Sequence, residues 1–194
     1  MDFVPSRCGA PQLPRSLQVT RHFRLSSSPH PVLPDEHPEN EARRFLLVLA
    51  FAAVVFGLDQ AAKAVVIAKL GNGRVIQLLG GAIRLDFITN TGAAFSLFRT
   101  SGGLFIVIAV AVAVAVLALR GRISRTQWWT RAAIGLIVGG ALANALDRIR
   151  LGYVVDFIDL RWWPVFNLAD SAIVVGAVVL AAESFRRSSR QSEL

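Results

Sequence analysis

Residues 102–119, "GGLFIVIAVAVAVAVLAL", contain no charged side chain, and three further apolar stretches share the chain with them. These are 45–70, "FLLVLAFAAVVFGLDQAAKAVVIAKL"; 132–149, "AAIGLIVGGALANALDRI"; and 166–185, "FNLADSAIVVGAVVLAAESF". A spanning helix needs about 20 predominantly apolar residues, so four runs of this kind predict a four-helix membrane bundle with both ends on one side. The hydrophobic share of 54% and the mean hydropathy of +0.51 agree, being high for an ordinary soluble domain.

Charge sets the orientation. Arg43, Arg44, Arg120, Arg122, Arg125, Arg131, Arg186, Arg187 and Arg190 flank one face, while the opposite face carries fewer basic residues, among them Lys69, Arg74, Arg84, Arg99, Arg148, Arg150 and Arg161. The positive-inside rule places both termini in the cytoplasm and residues 71–101 and 150–165 outside. Arginine flanking apolar helices accounts for the net charge of +8, so no nucleic-acid partner is inferred.

Residues 1–42 hold seven of the eight prolines and no sustained apolar period, which predicts a disordered cytoplasmic tail before a membrane domain at 43–187 and a short tail at 188–194. No apolar core followed by a small-residue cleavage site marks a secretory signal. One cysteine, Cys8, excludes an internal disulfide framework and a multi-cysteine metal site. His22, His30 and His37 all precede the first span, leaving no histidine for a triad or zinc site within the bundle.

The outer loops are structured in expectation. In "AIRLDFITN", Ile83, Leu85 and Phe87 alternate with Arg84 and Asp86, the period of a half-buried strand, and Gly80-Gly81 precede it as a turn. A small β-sheet on the outer membrane surface is predicted there. "NTGAAFSLF" then returns the chain to the bilayer through small residues. Trp162 and Trp163 read either as interfacial anchors or as substrate contacts.

Acidic residues concentrate at one depth. Asp59, Asp86, Asp147, Asp156, Asp159 and Asp170 all fall in the outer half or just outside, and ionisable groups at such positions are a functional-site hypothesis. Asp59 and Lys63 are i,i+4 on one helix face and predict an ion pair. Asn144 with Asp147, and Asn167 with Asp170, are i,i+3, which gives each carboxylate an amide on its own face. Gly139 and Gly140 permit close helix packing. Ser96 or Ser171 as nucleophile would require Lys63 as its base. A proton-coupled transporter would also keep acids in a membrane, but no internal repeat or broken-helix pair is present; a non-catalytic assembly subunit would use the same polar residues for packing.

Four motifs in order, "DQAAK", "NTGAAFS", "GGALANALDRIRLGYVVDF" and "FNLADSAI", make residues 45–185 resemble the lipoprotein signal peptidases, also called signal peptidase II, which are intramembrane aspartyl proteases. The resemblance implies that Asp156 and Asp170 are the catalytic pair, and that Asp59, Lys63, Asn90, Gly92, Asn144, Asp147, Arg148 and Asn167 support the site or face the substrate. It implies no metal and no cofactor. It further implies prolipoprotein substrates bearing a diacylglyceryl-modified cysteine, cleaved just before that cysteine, by a monomer in the bacterial cytoplasmic (inner) membrane whose site lies near the outer leaflet. Two features depart from the family's pattern: Ala143 stands where glycine is frequent, and the interval between the two aspartates is short.

Overall fold

The computed structural model describes residues 38–92 and 101–191. Cys8, the three histidines, Ser96, Arg99 and most of the tail expected at 1–42 lie outside them, as do residues 93–98 of "NTGAAFSLF" and residues 192–194.

Among the described residues five α-helices are present: α1 (Pro38–Leu70), α2 (Ser101–Ala118), α3 (Arg120–Ser124), α4 (Trp128–Leu151) and α5 (Leu168–Gln191). Among the described residues α1, α4 and α5 are long and apolar enough to cross a membrane, and α2 is a shorter apolar helix. Four boundaries differ from expectation. α1 begins at Pro38 instead of 45, so residues 38–42 are helical; proline suits a first helical position, and Glu39 and Glu41 complement the positive end of the helix dipole. α4 starts at Trp128, ahead of the apolar run, and stops at Leu151, where Gly152 takes the left-handed conformation at φ 80° and donates its N–H to Arg148 O. α5 continues to Gln191 through a Ser/Arg stretch that contains no helix breaker. Helices extend past apolar runs because hydropathy marks the buried length and not the hydrogen-bonded one.

Glycine contacts fix the helix directions. Gly135 and Gly139 of α4 lie against Val48 and Ala52 of α1, in parallel order, whereas Gly140 meets Ala169 and Gly176 meets Ala133, which makes α5 antiparallel to α4. A Cβ on Gly140 would come within 2.5 Å of Ala169 O, so only glycine allows the two backbones this approach. The Arg148 guanidinium lies 4.6 Å from the Phe105 ring centroid, bringing the start of α2 to the end of α4. At the opposite end Arg125 donates to Glu41, and Ile123 packs with Phe45 and Val48. The first residues of α1 and the last turns of α5 therefore share one end of the bundle.

The other end carries a three-stranded antiparallel sheet in the order β1 (Ile76–Leu78), β2 (Ile83–Asn90), β3 (Val154–Asp159). The Gly80-Gly81 turn and the β2 strand form as the alternation predicts. β3 was not anticipated: "VVDFID" is too short and too uniformly buried to show a period of two. Val155 and Phe157 pack on Val66 and Leu70, seating the sheet on the end of α1.

Candidate active site

Asp156 is carried by β3, whose alternation turns it away from the face of Val155 and Phe157. It is 1% exposed. Its Oδ1 accepts from Asn167 Nδ2 at 2.7 Å and its Oδ2 from Asn90 Nδ2 at 2.8 Å. Burial pushes the Asp156 carboxyl up to about 6, the Asn90 amide opposes that rise, and the nearby Asp170 charge adds to it.

Asn90 reaches Asp156 because of an irregularity in β2. Leu85 pairs with Ile158, but Ile88 pairs with Asp156 and Asn90 with Val154, so one extra β2 residue is accommodated between them. A shift of one residue exchanges the faces of a strand. With the register of Leu85 continued, Asn90 would share a face with Val155; the bulge moves it to the face of Asp156. Gly92, at φ 76°, donates its N–H to Asn90 Oδ1 at 2.9 Å, which leaves the Asn90 amide nitrogen for Asp156.

Asp170 is the third residue of α5. Asn167 caps that helix: its Oδ1 accepts the Asp170 N–H at 2.9 Å, and Asp170 Oδ2 accepts the Asn167 N–H at 3.3 Å. This reciprocal arrangement is a capping box built from Asn and Asp. Asp170 Oδ1 also accepts from Asn144 Nδ2 at 2.7 Å. Asn167 thus touches both aspartates, one through its side-chain amide and the other through its backbone.

Beneath them lies a buried ionic cluster. Lys63 Nζ is 2.7 Å from Asp59 Oδ2, 2.7 Å from Asp147 Oδ2 and 2.8 Å from Asn144 Oδ1. Three acceptors match the three protons of an ammonium group. Asp59 Oδ1 accepts the Ala169 N–H at 2.9 Å, so a side chain of α1 satisfies an amide in the first turn of α5. Arg148, half-buried, donates to Asn144 O at 3.2 Å. Among the described residues no group of three or more His, Cys, Asp and Glu side chains is arranged to hold a metal ion.

All ten residues singled out in the sequence fall within this connected region. The expected Asp59–Lys63 ion pair is present and takes Asp147 as a second acid. Asn144 serves Asp170 on the neighbouring helix instead of Asp147 on its own, because α4 turns Asn144 toward α5. Asp159 has a side chain only 17% exposed, 3.8 Å from Arg84 across the strand pair. Sequence reasoning missed Gln60, whose Nε2 donates to Asp147 Oδ1 at 2.9 Å, and the Val155 N–H, which donates to Asp147 Oδ2 at 3.3 Å. The place of Gln60 between Asp59 and Lys63 in "DQAAK" was the available signal.

The model of the Signal peptidase (SPase) II family matches residues 51–186. A lipoprotein signal peptidase of Rhodococcus jostii is 40% identical over 144 residues, which cover 71% of this chain and 72% of the relative. One from Halothermothrix orenii is 42% identical over 134 residues, covering 69% and 92%. A solved bacterial membrane enzyme, determined by the in meso method at 1.9 Å resolution, aligns with a TM-score of 0.65 at 26% identity over 70% of this chain and 90% of its own. With the match spanning well over half of its length, the chain belongs to the signal peptidase II family.

Proposed function

We propose that this chain is an aspartyl endopeptidase that removes signal peptides from prolipoproteins, cutting just before a cysteine that already carries a diacylglyceryl group. Family membership supports the peptidase activity and the prolipoprotein substrate; it gives no support to a transporter. The observation that carries the aspartyl mechanism is the attachment of Asp156 and Asp170 to one residue, Asn167.

Two carboxyls close together in a buried site share a proton. Burial makes Asp156 the natural holder of that proton, and the N-terminus of α5 makes Asp170 the base. Asp170 takes a proton from water as its oxygen bonds to the scissile carbonyl carbon, while Asp156 donates a hydrogen bond to the developing oxyanion. Collapse of the tetrahedral intermediate breaks the C–N bond, and the proton passes to the leaving amine of the modified cysteine. The products are a signal-peptide carboxylate and a lipidated N-terminal cysteine. Asn90, Asn144 and Asn167 hold the four carboxyl oxygens in place before substrate arrives, which is where preorganised polar groups contribute to catalysis.

In the membrane, α2 is the fourth span: it runs beside α4 from Phe105 toward the Glu41 end, and its 18 residues reach about 27 Å at 1.5 Å each. The clustered arginines put both termini in the cytoplasm of a monomer in the bacterial inner membrane, and the sheet with its site at the outer surface. Deleting residues 1–40, within the tail expected at 1–42, should leave folding and cleavage nearly intact. Cleavage of a synthetic diacylglyceryl prolipopeptide by the purified protein in detergent is the expected result. Absence of cleavage by folded protein overturns the reading.

A further inference from the structure

Beside Asp170 lies a cleft of about 410 Å³, walled by Trp162, Trp163 and Phe166 from the β3–α5 connection and by Val174 and Val175 of α5. We infer that this cleft is the subsite for one acyl chain of the substrate's lipid-modified cysteine; the inference rests on the peptidase reading above.

The aromatic wall is a built feature. Trp162 and Trp163 meet edge to face, with centroids 5.9 Å apart and an interplanar angle of 69°. Arg161, immediately before them, has φ 69°, a conformation that costs a non-glycine residue energy, and its N–H donates to Asp159 Oδ1 at 2.7 Å. The strained turn aims both indoles along the same side of α5 as Asp170. Rings serving only as interfacial anchors need no shared cleft.

The chemistry of the lining selects the occupant. The carboxyl of Asp170 and the hydroxyl of Ser171 stand at one end, and apart from the two indole N–H groups the remaining walls are apolar and offer no hydrogen-bond acceptor. An extended peptide brings an N–H and a C=O with every residue, and the N–H would need an acceptor those walls do not offer. An acyl chain brings none. Val174 and Val175 are 60% and 52% exposed on a helix apolar enough to span the membrane, so the cleft opens sideways onto hydrocarbon and the chain need not leave the bilayer to enter. Five residues of helix separate Asp170 from Val175, about 7.5 Å. A chain anchored through glycerol to the cysteine beside the scissile bond therefore begins where the cleft begins. The volume lies within the roughly 300–1,000 Å³ usual for small-ligand sites.

The test compares one prolipopeptide sequence carrying either dipalmitoylglyceryl or dibutyrylglyceryl, cleaved by the full chain in detergent. Val174→Trp fills the cleft and Trp163→Ala removes a wall; both positions are exposed, and thermal melts establish folding. Each variant is expected to raise KM for the long-chain substrate about tenfold, the loss of roughly one buried side chain's worth of apolar contact, with kcat near wild type. KM for the short-chain substrate should change little. Equal changes for both chain lengths, the pattern of a signal-peptide residue in the cleft, overturn the inference, as does no change for either. Failure of the wild type to cleave either substrate overturns the peptidase reading itself.

Discussion

Lys63 Nζ donates to Asn144 Oδ1 at 2.8 Å, and together with the Asn167 amide, which donates to the same oxygen at 3.1 Å, this contact sets which way the Asn144 amide faces. An ammonium has no lone pair to offer, so Asn144 must present its oxygen to Lys63, which leaves its nitrogen for Asp170. Lys63→Met should destabilise the folded protein by about 3–5 kcal/mol, because Asp59 and Asp147 lose their buried counterion. It should also cut turnover of the folded fraction, since Asn167 alone then holds the Asn144 oxygen. Denaturation in detergent and single-turnover cleavage read the two effects separately. Replacing Asp59 and Lys63 together leaves Asp147 uncompensated, so stability should recover further when Asp147 is also made apolar, but not fully, because the Ala169 and Val155 N–H groups lose their acceptors.

Asp156→Asn and Asp170→Asn should each lower cleavage of a lipidated substrate by at least about 10²–10⁴-fold with the protein still folded, since an amide can neither take nor give the proton. Asp159→Asn, which loosens a pairing with Arg84 away from the two aspartates, should change the rate little. Substantial turnover by a folded Asn variant at 156 or 170 removes that residue from the pair.

The Asp156 carboxyl at about 6, against an ordinary value of 3.8, makes both stability and rate depend on pH. Between these values the folded chain binds more protons than the unfolded one, so stability falls as pH rises from about 4 to about 6 and levels off above. Thermal melts across that interval should show the slope in wild type and lose it in Asp156→Asn. The value of kcat/KM should decline as pH rises through about 6, when the shared proton leaves. An unchanged rate from pH 5 to 8 would show that no such proton is needed.

Asn167 has two separable roles. Asn167→Ser keeps a side-chain oxygen to cap α5 but loses the amide that holds Asp156 Oδ1, so it should cost about 1–3 kcal/mol for the buried acceptor left without its donor while turnover falls. Asn167→Ala loses both and should cost about 1 kcal/mol more. Thermal melts and cleavage rates of the two variants check the separation; equal rates for Asn167→Ser and wild type would assign Asn167 a capping role alone.

The chain states its helices openly because apolar length is a local property; 102–119 is legible in isolation. The β2 strand is legible for the same reason, through its alternation. β3 is not, since Val154 to Phe157 are all buried and show no contrast between faces. Individual site residues could be singled out as costly polar groups in an apolar chain, yet their partners could not. Asn144 lies three residues from Asp147 and bonds to Asp170 instead, a choice made by the backbone approach at Gly140. The bulge that turns Asn90 toward Asp156 depends on pairing with a strand 66 positions later and leaves no trace in local composition.

Asp59 belongs to the first membrane helix to be synthesised, and the amide it satisfies, Ala169, belongs to the last. The helix that presents Asp170 is thus completed by a residue made 110 positions earlier. A chain still emerging from the ribosome holds Asp59, Lys63 and Asp147 but neither aspartate's full set of partners. On the proposed reading, order of synthesis keeps the unfinished chain inert, and hydrolytic competence arrives only once α5 has been made.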